Sequence, residues 1–195
     1  YGTASLVIEA GGCKIALDPY VTRNRRLLRI RPEDLDRVDA LLLTHGHFDH
    51  SADIPFLLNG AQTPVYASSE TVSRLSALPP FRTVNFKKIT PSEALNIQKI
   101  RIKPYPAAHV RFDPLLIART IPRILGWMFS RPGCFLRIVA DVKTYSMGQV
   151  FAWEIAFQQE HLLVFGSMGL LPDVDYPSGA PLSFRFRATA GSTTS

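Results

Sequence analysis

LLLTHGHFDHSAD, residues 41–53, packs three of the chain's five histidines and an aspartate into six consecutive positions, 45 to 50. Imidazole and carboxylate are borderline-to-hard donors that suit zinc, iron or manganese. The run DALLLTH (39–45) just ahead is almost continuously apolar, which predicts a strand covered on both faces. Ligand-type side chains placed where such a strand ends can converge from a single backbone turn. Gly46, between His45 and His47, permits close or unusual backbone geometry, and Thr44 and Phe48 can support and cover the site. A lone histidine at a surface turn needs no metal to explain it. Four ligand-type residues at this spacing call for one. A tetrahedral cation accepts about four protein ligands. Four here, joined by others elsewhere, imply two adjacent cations, as in two-metal hydrolases.

Outward from this motif the chain reads as alternating strands and helices. ASLVIEA (4–10) and CKIALD (13–18) predict two strands joined by a tight turn at the Gly pair. PEDLDRV (32–38) opens with Pro and acidic residues, as a short helix does. TPVYAS (63–68) predicts a strand. SSETVSRLSAL (68–78) predicts a helix with an N-cap serine and apolar positions at Val72, Leu75 and Leu78. NIQKIRIKPY (96–105), CFLRIVA (134–140), GQVFAWEIAF (148–157) and HLLVFGSM (161–168) each predict a strand, with QQE as the turn between the last two. Strands alternating with helices, followed by a run of strands, predict layered α/β packing.

At 195 residues the chain suits one domain with a sizeable core. Cys13 and Cys134 are too few for a disulfide framework and suit a reducing compartment, read as cytoplasmic, with both as buried structural thiols. No stretch reaches the roughly 18–20 apolar residues that span a bilayer. The chain starts at Tyr1 and shows no secretory leader. Part of the net charge of +6 is local, because TRNRRLLRIR (22–31) carries five arginines. That run reads as a solvated surface, with an anionic-ligand or nucleic-acid patch as the minority reading. Residues 114–132, PLLIARTIPRILGWMFSRP, mix apolar residues with Arg119, Arg123 and Arg131. Pro122 and Gly126 argue against one straight helix there. The segment reads as a helical insertion packing its apolar side, or as a lid or lipid-facing stretch. Residues 179–195 lose periodicity and read as a disordered or atypical tail.

THGHFDH resembles the His-x-His-x-Asp-His motif of the metallo-β-lactamase fold superfamily. The surrounding order agrees: a paired-strand start, LDP (17–19), the motif after an apolar strand, then the isolated His109 in PAAH. YGTASLVIEAGGCKIALDPY resembles the opening of the metal-dependent hydrolases related to lactonases and phosphodiesterases. The resemblance covers residues 1–178 and implies a four-layer αβ/βα sandwich, with the C-terminal part truncated or altered after about Pro177. It makes His45, His47 and His109 ligands of a first metal, and Asp49 and His50 ligands of a second, zinc foremost with iron or manganese as alternatives. Asp18 resembles the family's buried acid behind the motif loop and supports the ligands without binding metal. The family's bridging aspartate is replaced by Ser167 in VFGSMG, a poorer ligand, and its last histidine has no counterpart. His161 reads as a surface residue, while Asp173 and Asp175 lie where they could approach the site.

The activity implied is attack of a metal-activated water on an ester, lactone, amide or phosphodiester of a small molecule or lipid, with Asp49 holding or relaying a proton. No serine or cysteine nucleophile with an evident partner competes with this reading. The alternatives are an RNA- or DNA-cleaving nuclease of the same superfamily and a catalytically impaired metal-binding paralogue. A stable nucleic-acid partner is not favoured, because no aromatic stacking platform accompanies the arginines.

Overall fold

In the computed structural model, the described residues are 5–21, 35, 37–58, 60–91, 93–109, 122, 126, 128–165 and 168–177. Strands β1 (Leu6–Ala10) and β2 (Cys13–Leu17) form the expected hairpin, in register from Leu6 opposite Leu17 to Ala10 opposite Cys13. Its two-residue turn takes positive φ at Gly11 and Gly12, 57° and 83°, which only glycine adopts without penalty. Then β3 (Ala40–Leu42), β4 (Val65–Ser68) and β5 (Phe86–Ile89) add in parallel, giving a five-stranded sheet in the order β1-β2-β3-β4-β5. Three fully buried residues make up β3, as its apolar run predicts.

The second sheet has the order β10-β9-β7-β6, all antiparallel, with β6 at Leu95–Ile97, β7 at Ile100–Pro106, β9 at Phe151–Phe157 and β10 at Glu160–Val164. The two sheets close on one another. Ile15 and Leu17 from β2, Leu42 from β3 and Ile89 from β5 meet Ile100, Ile102, Phe151, Trp153 and Ile155 in one buried cluster. Trp153 Nε1 crosses between the sheets to donate to the Leu43 carbonyl at 3.2 Å.

The first sheet's other face is covered by short helices. α1 (Phe48–Ser51) and α2 (Ile54–Leu58) follow β3, and α3 (Ser69–Ser76) follows β4. Ile54, Leu58, Val72 and Leu75 pack there against Leu41, Leu43 and Val65. Ser68 caps α3 by accepting from the Thr71 N–H, as expected. The result is the layered, mixed α/β architecture that the sequence implies.

Three expected elements differ. The strand expected over 161–168 stops at Val164, and Met168 belongs to a separate two-residue strand, Met168–Gly169. Residues 96–105 do not form one strand. The chain turns at Gln98 and Lys99, so that Ile97 faces Ile100 across a hairpin. Gln98 sits at φ 53° and its amide donates to Asp39 Oδ1 at 3.0 Å. Gly or Asn normally marks such a turn, and neither is present. The stretch 134–140 is not a strand but the middle of α4 (Pro132–Thr144). Pro132 at its first turn pre-sets helical φ, and Phe135, Ile138, Val139 and Val142 recur at i, i+3, i+4, i+7. A seven-residue apolar window is too short to reveal that period.

Cys13 is buried, as expected, while the Cys134 side chain lies outside the described set. Outside it too are the arginine run 22–31, most of 32–38, most of the 114–132 segment, Ser167 and the tail from 178. Among the described residues, no helix is long and apolar enough to cross a membrane.

Candidate metal centre

The motif leaves the end of β3 and is held from several sides. The Thr44 carbonyl accepts from Phe151 N of β9 at 2.9 Å, and Gly46 N donates to the Met147 carbonyl at 2.7 Å. Ser51 Oγ, one helical turn on, donates to the carbonyls of Gly46 and His47 at 3.1 and 3.0 Å. Gly46 is required here for space: a Cβ would lie 2.5 Å from the Ser146 carbonyl oxygen. The close backbone geometry expected at Gly46 is an approach to the 146–147 backbone. Nothing in the sequence marks Ser146 and Met147 for that role, whereas Ser51 stands four residues after His47 at helical spacing.

Beneath the loop lies Asp18, 1% exposed, at the end of β2 with φ 42°. That left-handed conformation is uncommon outside glycine, although aspartate is among the residues that tolerate it. It turns the carboxylate under the motif. Asp18 Oδ1 accepts from Thr44 N at 2.8 Å, Oδ2 accepts from Thr44 Oγ1 at 2.6 Å, and His50 Nδ1 lies 2.9 Å from Oδ2. That last approach is an ion-pair contact lying off the hydrogen-bonding angle.

Thr44 fixes the tautomer of His45. The single hydroxyl proton of Thr44 goes to Asp18, so Thr44 Oγ1 accepts from His45 Nδ1 at 3.0 Å. His45 Nε2 is left with its lone pair, 3.0 Å from His47 Nδ1. Here His109, at the end of the short strand β8 (Ala108–His109), joins them. Its ring centroid lies 5.2 Å from that of His45 and 4.9 Å from that of His47. One ligand atom from each of His45, His47 and His109 falls within 4.8 Å of the others, an arrangement able to hold a metal ion. The His50 ring lies tilted against that of His45, with centroids 4.1 Å apart, and its Nε2 is 3.8 Å from Asp49 Oδ2. The Asp49 side chain is 35% exposed and so reaches solvent.

The donor set fits a cation electrostatically. Burial, then the neighbouring His50, His47 and His109 rings, pushes the His45 ring down to about 2. Burial and His109 hold His47 below the ordinary histidine value, against the pull of Asp49. Both rings are therefore neutral, the form that ligates metal. In His50, burial alone would lower the pKa, but Asp18 and then Asp49 outweigh it and raise it.

His45, His47 and His109 are thus brought together, with Asp49 and His50 beside them and Asp18 behind. Ser167 lies outside the described residues, although its neighbour Met168, in β11 (Met168–Gly169), pairs with His109. His161 is apart from the cluster, on β10, where Nδ1 contacts Glu154 Oε1 at 3.1 Å. Asp173 and Asp175 are exposed.

Comparison with known proteins agrees with this geometry. Residues 14–158 match the family described as "Beta-lactamase superfamily domain". A UPF0173 metal-dependent hydrolase of Polaromonas sp. is 34% identical over 111 residues, 51% of this chain and 39% of the relative. One from Flavobacterium johnsoniae is 37% identical over 73 residues, 37% of this chain and 32% of the relative. The chain thus spans well under half the length of either. The metallo-beta-lactamase fold protein YhfI from Bacillus subtilis superposes with a TM-score of 0.52 at 15% identity, over 83% of this chain and 55% of that one, and shares its fold. With well over half of its length inside the family match, the chain belongs to the beta-lactamase superfamily of metallo-β-lactamase fold proteins.

Proposed function

We propose that the protein is a metal-dependent hydrolase acting on an ester, lactone, amide or phosphodiester. The observation that carries this is the convergence of His45, His47 and His109 donor atoms within 4.8 Å. These three would hold a first cation, and Asp49 with His50 a second. Imidazole and carboxylate donors without thiolate favour zinc, with iron or manganese as alternatives. A cation bound there supplies Lewis acidity towards the attacked carbonyl or phosphoryl oxygen and lowers the pKa of water to about 7. The residues of the chain supply the rest. Thr44 holds the His45 ring with Nε2 free, and Asp18 orients His50 from Nδ1. Asp49, partly open to solvent, is the group able to orient the nucleophile and take its proton.

The test is elemental analysis of the purified protein and of its His47→Ala and His109→Ala variants, with turnover of nitrophenyl acetate, a lactone and bis-nitrophenyl phosphate. Bound metal is expected in the parent. Each variant should lose at least about one ion and 10²-fold or more in activity, the scale of removing one transition-state stabiliser. Full metal occupancy in either variant would refute the ligand set. Preferential, salt-sensitive cleavage of RNA would instead reassign the substrate to nucleic acid.

A further inference from the structure

The turn that aims Asp18 is held by a side chain far from the histidine motif in sequence. Asp18 has φ 42°, a left-handed conformation that a residue other than glycine keeps only where its surroundings over-determine it. The hydrogen bonds of the turn supply that constraint. Asp18 N donates to the Leu42 carbonyl at 3.1 Å, continuing the pairing of β2 with β3. Ser5 stands one residue ahead of β1, whose Leu6 pairs with Leu17, and so lies across the hairpin from Asp18. Its hydroxyl donates to the Asp18 carbonyl at 2.8 Å and accepts from Tyr20 N at 2.9 Å. Pro19 between them has no N–H to place. Val21 N, the next donor, goes to Asp53 Oδ2 at 2.7 Å, and Asp53 is buried just after the motif. With its N–H on Leu42 and its carbonyl on Ser5, the Asp18 backbone is pinned on both sides of Cα. That sets the direction of the side chain, whose carboxylate meets Thr44 N, Thr44 Oγ1 and His50 Nδ1 at 2.8, 2.6 and 2.9 Å.

We infer that Ser5 is a positioning residue of the metal centre: acting through Asp18, its hydroxyl keeps the carboxylate under Thr44 and beside His50. This rests on the metal-dependent reading above and adds to it a residue that supplies no ligand atom. Without the hydroxyl, the Asp18 carbonyl and the Tyr20 N–H lose their shared partner. The turn then relaxes towards a more ordinary backbone, and the carboxylate leaves its place behind the ligands.

Two measurements on Ser5→Ala and on the nearly isosteric Ser5→Cys test it. Hydrogen exchange of the metal-free protein compares the Thr44 amide, held by Asp18 Oδ1, with the Leu43 amide, held by the Tyr66 carbonyl of β4. Thr44 is expected to exchange about fivefold or more faster in the variants, while Leu43 keeps its rate. A general loss of stability would speed both amides alike. In a competitive chelator titration, zinc is expected to bind about tenfold more weakly, the low end of what losing a partner behind a ligand costs. That loss should all but vanish when Ser5→Ala is made in an Asp18→Asn background, because asparagine tolerates the same φ but lacks the anion. Equal acceleration of the two amides, unchanged zinc affinity, or a full loss that persists beside Asp18→Asn would overturn the inference. Absence of zinc binding by the parent protein is the separate outcome that overturns the hydrolase reading, and the amide rates would still decide whether Ser5 holds Asp18.

Discussion

Asp18, Thr44 and His50 show how single side chains divide the centre into two unlike halves. Asp18 presents one carboxylate to the backbone and hydroxyl of Thr44 and to the His50 ring, and through Thr44 it sets the tautomer of His45. The rings respond in opposite senses. His45 is driven down to about 2 by burial and by its neighbouring rings, so it stays neutral and ready to ligate in mild acid. His50 is raised above the ordinary value by Asp18 and Asp49 acting against burial, so it gains a proton at a higher pH than a free histidine would. A protonated ring cannot bind metal. If both proposed ions bind, metal content is expected to fall stepwise as pH is lowered: an ion held by Asp49 and His50 leaves first, because His50 takes up its proton above the ordinary histidine value, while an ion held by the neutral His45 and His47 persists further into acid. Metal analysis after dialysis at stepped pH would show this order, and simultaneous loss of both ions would contradict it. Asp18→Asn removes the anion behind His50. It should bring the first step to lower pH while weakening the second ion about 10–100-fold at neutral pH, the usual effect of losing a partner behind a ligand.

Elements, rather than residues, decide whether those side chains meet. Ser68 illustrates the point: its hydroxyl caps α3 through the Thr71 N–H and also donates to the Gln149 carbonyl, just ahead of β9. Ser68→Ala is expected to cost about 1–2 kcal/mol, since a lost N-cap is typically worth that much. Urea denaturation would measure it, and an unchanged midpoint would show the cap to be idle. The same helix was legible in the sequence because its cap and its Val72 and Leu75 spacing agree. The motif strand was legible because DALLLTH is buried on both faces, and the histidines could be paired with Asp18 and His109 through the resemblance. The turn at Gln98 was not legible, because it is made with a residue that rarely takes positive φ and is stabilised by Asp39, 59 positions away. α4 was misread because Phe135, Leu136, Ile138 and Val139 favour a strand in a short window, and only the step to Val142 reveals the helical period. The anchoring of Gly46 by Ser146 and Met147 had no signal at all, since a backbone carbonyl leaves no trace in side-chain pattern.

At the scale of the whole molecule, the second sheet is hydrogen-bonded to the chain that leads into the histidine cluster. Thr44 receives a hydrogen bond from Phe151 N, and Leu43 receives one from the Trp153 indole, so β9 of the second sheet grips the chain immediately before His45. Trp153 is fully buried in the intersheet core, with Phe151 edge-on at 5.8 Å. Trp153→Phe deletes the indole donor and leaves space beside the Leu43 carbonyl, a loss of about 1–3 kcal/mol for a buried hydrogen bond left unmade. Ile100→Val trims the same core at the same depth but on β7, away from the motif, and should cost about 0.5–1.5 kcal/mol. The two variants separate core stability from site geometry. Both lower the denaturation midpoint of the metal-free protein, but only Trp153→Phe also loosens the 43–45 backbone, so only it should weaken metal binding in a competitive chelator titration. If both variants bind metal equally well, the intersheet core and the histidine cluster are uncoupled, and the grip of β9 on Leu43 and Thr44 serves the fold alone.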